Sequence, residues 1–362
     1  MKYSHIVICS NSDSLWDNSN FNLNYTKNIP GASWVPFFKK KCEEKGIKVV
    51  SGYSILKAKI NYEKVLIIQE LNSWHAISLI NKGAKPFLIL SGESKLYAYY
   101  FYDFINIFSN KFENKIFFGG HKINKKDYSH FYFPSFFQSN LFKKNNWEKR
   151  EFLVLVASNK SDSLNLSYGS LLTKLKGLIL FFYKQISPSY LLAKKNSLIK
   201  KRLEIIHHFG KSNSINIYGK YWFNSKDFPL KIKAQLIKII KDLNPTFIED
   251  KIKCLQKYKF CLCIENTSID FYVTEKIIEA MAAGCIPVYL GAKNISSIIP
   301  SKCYIDINDF NEYESLEKYL KSLSSYEADV YLKNIYKFLN SREGKKFSYE
   351  GFSESIFNKI PL

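Results

Sequence analysis

The stretch Lys257–Phe310, KYKFCLCIENTSIDFYVTEKIIEAMAAGCIPVYLGAKNISSIIPSKCYIDINDF, decides the fold of this chain. KFCLCI is an apolar run of strand length that ends in the polar pair Glu265-Asn266. A short loop follows and carries Tyr272. Thr274 then suits the N-cap of a helix opening in Glu275-Lys276, and Gly284 suits its stop. Ile277, Ile278, Met281 and Ala282 take the core-facing positions, and CIPVYLG (285–291) is the next buried strand. A strand ending in polar residues, a short loop and a helix N-terminus can capture phosphate. Backbone N–H groups at a helix start favour an anion, and Lys276 adds a cation. Glu275 has two readings here: an acceptor for ribose hydroxyls, or a carboxylate that only complements the helix dipole.

The same alternation continues upstream. HIVIC (5–9), IKVV (47–50), KVLIIQEL (64–71) and AKPFLILSGE (84–93) read as strands, and WVPFFKKKCEEKG (34–46) and WHAISLINKG (74–83) as helices closed by Gly46 and Gly83. Buried apolar strands alternating with helices predict parallel sheets covered on both faces. The polar run QSNLFKKNNWEKRE (138–151) is the expected domain boundary. FLVLVASNK (152–160) opens a second domain, and INIYGKYW (215–222) is a further strand and turn. The expected architecture is α/β, two Rossmann-like domains facing across a cleft: residues 1–145, residues 150–310, and a helical segment over 311–362 in which Leu316, Leu320, Leu323 and Tyr326 share a face. Ligands in such sheets sit at the carboxyl ends of the strands, which places Gly92-Glu93 and Ser158-Asn159 at the site.

The formal net charge is +21, yet Arg150, Arg202 and Arg342 are the only arginines among 53 basic residues. Direct base readout leans on bidentate arginine, so the charge reads as a lysine-rich surface and not as specific nucleic-acid recognition. The seven cysteines include no C-x-x-C pair, which predicts reduced thiols. No apolar run reaches the length of a membrane span. The longest, LKGLILFFYKQISPSYLL (175–192), is interrupted by Lys176 and Lys184. Two readings stand for it: an interfacial patch on anionic lipid, or helices packed on the domain. A location in the cytoplasm, with peripheral contact at the inner membrane face, is the expectation. His5, His75, His121, His130, His207 and His208 show no metal-ligand spacing, and no Asp-x-Asp occurs, so no obligatory metal is expected.

The ordered series Tyr258-Lys259-Phe260, Glu265-Asn266-Thr267, Tyr272-Val273-Thr274-Glu275-Lys276, Pro287-Val288 to Gly291, Ile299-Pro300 and Asp309-Phe310 resembles the donor-binding signature of the family 10 glycosyltransferases, the α-1,3/1,4-fucosyltransferases, of bacterial type. Val156-Ala157-Ser158-Asn159 is similar to the family's strand ending in Ser-Asn. Arg202 precedes Ile215-Asn216-Ile217-Tyr218-Gly219-Lys220 as a family arginine precedes its Tyr-Gly strand. The resemblance implies a GT-B fold and a metal-independent, inverting transfer of L-fucose from GDP-fucose to an N-acetylglucosamine-containing glycan, for lipopolysaccharide or another surface polysaccharide. It assigns Ser158, Asn159, Arg202, Asn266, Tyr272, Glu275 and Lys276 to the GDP-sugar. Leu88 to Ser94 resembles the family's strand-end Gly-Glu turn and nominates Glu93 as the base, with Glu70 and Asp103 as the next carboxylates. No Pro follows Glu93-Ser94, and the family's arginine-bearing segment is not recognisable, so Glu93 also reads as an ordinary turn residue. Two rivals stand beside this reading: another nucleotide-sugar donor in the same site, and a non-catalytic basic glycan-binding module.

Overall fold

The computed structural model of the protein describes residues 2–10, 18–26, 29, 31–118, 128–135, 147–159, 171–226 and 228–361. Residues 138–146 of the expected boundary segment and 160–170 of the stretch before Leu171 lie outside them. The chain forms two compact units. The first is Met1–Phe136 with Ser187–Ser189 and Lys345–Leu362; the second is Phe137–Ile186 with Tyr190–Gly344.

The first unit holds strands β1 (His5–Cys9), β2 (Lys48–Ser51), β3 (Val65–Glu70), β4 (Lys85–Ser91), β5 (Asn114–Phe117) and β6 (Tyr128–His130). Their order is β2-β1-β3-β4-β5-β6, and every pairing is parallel. Ile6, Val7, Leu66, Ile67, Leu88 and Ile89 are fully or almost fully buried, because helices on both faces leave no strand face to water. Gly46 and Gly83 take positive φ values of 74° and 100° after their helices, the left-handed conformation that a glycine stop supplies.

The second unit holds β7 (Glu151–Val156), β8 (Asn216–Tyr218), β9 (Tyr258–Ile264), β10 (Ile286–Leu290) and β11 (Ile305–Asp306), ordered β11-β10-β9-β7-β8 and again parallel. Phe260, Leu262 and Ile264 join the core beneath helices Ile199–Lys211 and Lys233–Leu243. Cys261 and Cys263 alternate with them along β9, and the Cys263 Sγ lies 3.4 Å from the Lys276 carbonyl of helix Glu275–Ala282. The period of two along one strand therefore sorts its residues between two helical layers.

Numbered within each unit, the strands run 2-1-3-4-5-6 in the first sheet and 2-1-3-4-5 in the second, a doubly wound topology whose switch point lies between the first and third strands. That point falls between β1 and β3 in the first unit, and between β7 and β9 in the second. Each unit has the Rossmann-like α/β fold class expected from the sequence.

The segment 311–362 is divided between the units. Helices Tyr313–Ser322 and Ser325–Asn340 belong to the second, and Tyr349–Phe357 packs in the first against helix Trp34–Glu43. There the Ser353 hydroxyl donates to the Trp34 carbonyl at 2.8 Å, and the Phe352 ring meets the Trp34 ring edge-on at 5.4 Å. Leu316, Leu320 and Leu323 are buried, but Tyr326 is 78% exposed and does not share their face. The reason is a break at Leu323 (ψ 115°), after which Ser324 and Glu327 form a capping box that starts a new helix in a different phase.

Candidate nucleotide-sugar site

At the switch point of the second unit, β9 delivers Glu265 and Asn266. The Glu265 N–H donates to the Leu290 carbonyl at 2.9 Å, so this residue still belongs to the sheet. Its side chain is completely buried. One carboxylate oxygen accepts the Thr274 N–H at 2.8 Å, both accept from the Thr274 hydroxyl (2.9 and 2.8 Å), and the second accepts the Lys276 ammonium at 2.9 Å. Lys276 also donates to the Thr274 hydroxyl at 2.8 Å. Thr274 caps helix Glu275–Ala282 in sequence position, but its hydroxyl turns to Glu265 and not to the helix. Glu265 is therefore the residue that fixes where this helix begins.

Lys276 keeps 15% of its side chain exposed, and Glu275 lies 3.9 Å from its ammonium. Burial pushes the Lys276 pKa down, but the charges of Glu265 and Glu275 outweigh burial and raise it. Burial pushes the Glu275 carboxyl up, but Lys276 and Lys251 outweigh that and hold it below the usual range. Both groups stay charged. Lys251 forms a 2.7 Å ion pair with Glu279 one turn along the same helix.

Arg202, in the first turn of helix Ile199–Lys211, is 5% exposed. Its Nη2 donates to the Asn266 Oδ1 at 2.9 Å and lies 3.3 and 3.4 Å from the Ile264 and Glu265 carbonyls. Arg202 thus grips the end of β9, and its charge reaches Lys276. Asn266 is half-buried, and its carbonyl accepts the Leu198 N–H at 3.0 Å.

The loop from Thr267 to Val273 is held at several points. The Ser268 hydroxyl donates to the Gly291 carbonyl at 2.8 Å, and the Phe271 N–H to the Asn294 Oδ1 at 2.8 Å. Phe271 takes a positive φ of 64°. Tyr272 beside it is buried.

On the other side of the switch point, Ser158 is half-buried and Asn159 buried just beyond β7. The Asn159 side chain donates to the Asn224 carbonyl at 3.0 Å and its N–H to the Lys220 carbonyl at 2.9 Å. Gly219 lets this happen: it has φ 131°, and a Cβ there would stand 2.0 Å from the Ala157 carbonyl oxygen. Asn159 joins the loops after β7 and β8.

The structure thus brings Arg202, Asn266, Glu275 and Lys276 together at the end of β9. Glu265 and Thr274 complete the cluster. The sequence marked both, Glu265 as the polar end of a strand and Thr274 as a cap. A carboxylate at the end of an apolar run, nine residues before a threonine and eleven before a lysine, was the available signal for their partnership.

The first unit has its own polar cluster. Glu70 ends β3 and Glu93 follows β4 by two residues. Burial and then the charge of Glu93 push the Glu70 carboxyl up, opposed by a hydrogen bond from the Ser10 side chain just after β1. Glu93 is exposed. Its turn is fixed by the Tyr102 hydroxyl, which donates to the Glu93 carbonyl at 2.8 Å, and by Gly92, where a Cβ would meet the Phe131 ring at 2.7 Å. Asp103 is taken up elsewhere: the Ser189 N–H donates to its carboxylate at 2.9 Å. His75 is the second residue of helix Trp74–Asn81 after β3 and lies between exposed Trp74 (ring centroids 3.8 Å apart) and exposed Tyr53 (5.8 Å).

Residues 187–340 match the model of glycosyltransferase family 10 (fucosyltransferase), C-terminal part. The chain is 35% identical over 114 residues to an α-(1,3)-fucosyltransferase of Helicobacter pylori, covering 31% of this chain and 23% of that protein. It is 40% identical over 75 residues to an α-(1,4)-fucosyltransferase of Arabidopsis thaliana, covering 20% and 19%. The aligned stretches thus span less than a quarter of these relatives' own length. In fold, a crystal structure of an α1,3-fucosyltransferase covers 98% of this chain and 88% of its own at TM-score 0.52 and 16% identity. A glycosyltransferase from Rickettsia africae covers 98% and 97% at TM-score 0.54 and 10% identity. The fold class is GT-B, and within it residues 187–340 are similar to the C-terminal part of glycosyltransferase family 10.

Proposed function

We propose that the protein is an inverting glycosyltransferase that moves L-fucose from GDP-fucose to a hydroxyl of an N-acetylglucosamine-containing glycan. The observation that carries this reading is the Glu265-anchored cluster of Thr274, Lys276, Arg202 and Asn266 at the switch point of the family-matching domain. Lys276 and the start of its helix receive the diphosphate, and Arg202 adds positive charge behind them. Glu275, ionised, accepts from ribose hydroxyls. Asn266 and Tyr272 orient nucleotide and sugar, and Ser158 and Asn159 shape the opposite wall.

The first domain takes the acceptor. The acceptor oxygen attacks the anomeric carbon and its proton passes to the Glu93 carboxylate. The carbon–oxygen bond to the diphosphate breaks with its electron pair leaving on GDP. Burial and the charge of Glu93 push the Glu70 carboxyl up, and the exposed Glu93 is the more accessible of the two carboxylates. Trp74 and Tyr53 offer apolar ring faces to the acceptor sugar at the same strand edge. A surface polysaccharide or lipopolysaccharide precursor at the inner face of the cytoplasmic membrane fits such an acceptor.

The test is GDP release from GDP-fucose with N-acetyllactosamine acceptors, for the wild type, Glu93→Gln and Lys276→Ala. Acceptor-dependent release that falls in both variants supports the mechanism. Full activity of Glu93→Gln moves the base to another carboxylate. A wild type that binds UDP in preference to GDP overturns the donor, and one that binds glycan without any release is a binding module.

A further inference from the structure

Residues 178–195 carry an apolar ridge that faces outward. Ile179 (62% exposed), Phe182 (67%) and Ile186 (70%) follow one another at spacings of three and four along helix Leu171–Lys184 and the turn after it. That spacing puts them on a single stripe. Leu191 and Leu192, in helix Pro188–Lys195, are exposed as well. An amphipathic helix on a domain normally turns such a stripe inward; here it points to solvent.

Along the segment itself the charge has one sign, and the Asp103 carboxylate that takes the Ser189 N–H is an acidic group at its turn. Between Asp162 and Glu204 the chain contains no acidic residue and seven lysines. Lys184 and Lys194, from the two helices, bring their ammonium groups to 4.5 and 5.8 Å from the Tyr190 ring, and Lys194 and Lys195 are exposed. Exposed apolar side chains and exposed lysines within one short segment match the interface of an anionic bilayer, where the first enter the acyl boundary and the second meet headgroup phosphates. A protein partner would have to supply both an apolar groove and a rim of carboxylates. Among the described residues no helix is long and apolar enough to cross a membrane, so the ridge would lie on the bilayer and not span it.

We propose that the hairpin Leu178–Lys195 is a docking surface for an anionic lipid bilayer. This deepens the reading of a membrane-anchored acceptor, but its test needs neither donor nor acceptor. Cosedimentation would be measured with vesicles of phosphatidylcholine alone and of phosphatidylcholine with phosphatidylglycerol, for the wild type, Ile179→Ser/Phe182→Ser/Ile186→Ser, and Lys194→Ser/Lys195→Ser. Far-ultraviolet circular dichroism and GDP binding would report that each variant is folded. The expected result is at least tenfold stronger binding to the anionic vesicles, lost in the serine triple variant and weakened in the lysine variant, with GDP binding unchanged. Equal binding by the wild type and the triple variant overturns the proposal, because surface charge alone would then account for it. A wild-type dimer that the triple variant dissociates, with no vesicle binding by either, also overturns it and makes the ridge a contact between copies. Loss of transferase activity with vesicle binding intact would count against the transferase reading alone.

Discussion

The carboxylate of Glu265 lies 2.9 Å from the ammonium of Lys276 and has no exposed surface, whereas the lysine keeps a narrow opening to solvent. A buried carboxylate is tolerated only when its oxygens are filled, and Thr274 and Lys276 fill them here. The pair fixes the ammonium relative to the start of its helix before any anion arrives.

Glu265→Gln should therefore harm both stability and binding. Removing one partner of a buried pair costs about 3–5 kcal/mol, largely because the other charge is left uncompensated. We expect denaturant unfolding to show a loss of this order and GDP titration to show weaker binding. Unchanged stability would mean that water already shares this site.

Arg202→Lys keeps the charge but loses the planar fork that reaches Asn266 and the carbonyl end of β9. The expected cost is about 1–3 kcal/mol for donors and acceptors left unpaired in a buried place. Calorimetric GDP binding should weaken by roughly tenfold or more on the same grounds. Wild-type affinity in the lysine variant would limit Arg202 to packing.

Gly219→Ala probes the loop that carries Asn159. The new Cβ would stand 2.0 Å from the Ala157 oxygen at a φ of 131°, so the two loops must separate. Backbone strain of this kind, added to the clash, should cost about 3 kcal/mol or more. Thermal melting checks it, and an unchanged melting point would contradict the loop packing.

Glu70 sets a pH dependence in the first domain. Its folded pKa is raised, so its contribution to stability is present in full below the unfolded value and is lost as pH rises through the folded one. Glu70→Gln removes that loss. The melting point of Glu70→Gln relative to the wild type should rise between pH 4 and pH 8, and a flat difference would show that Glu70 is not desolvated. Glu70→Gln should also keep GDP release where Glu93→Gln loses it.

The strands, several helices and their ends were legible in the sequence because their causes are local. β3 and β4 are continuous apolar runs, and Gly46 and Gly83 end their helices where only a positive φ continues the chain. The cluster of Arg202, Asn266, Glu275 and Lys276 was legible through its ordered motif. Helix phase was less so: Tyr326 sat on the periodicity of Leu316 and Leu320, but the capping box at Ser324 reset it.

By itself the sequence determined which segments are buried strands, which residues end them, and that Lys276 starts a helix beside a polar strand end. Only the tertiary structure decided which strand ends are neighbours. Strand order depends on pairing between residues far apart in the chain, and it put β7 beside β9 and β1 beside β3. Tertiary packing set Glu70 near Glu93 through the pairing of β3 with β4, and made Glu265 the buried anchor of Lys276. It also left Ile179, Phe182 and Ile186 facing outward, because burial is a property of what packs against a residue and not of the residue alone.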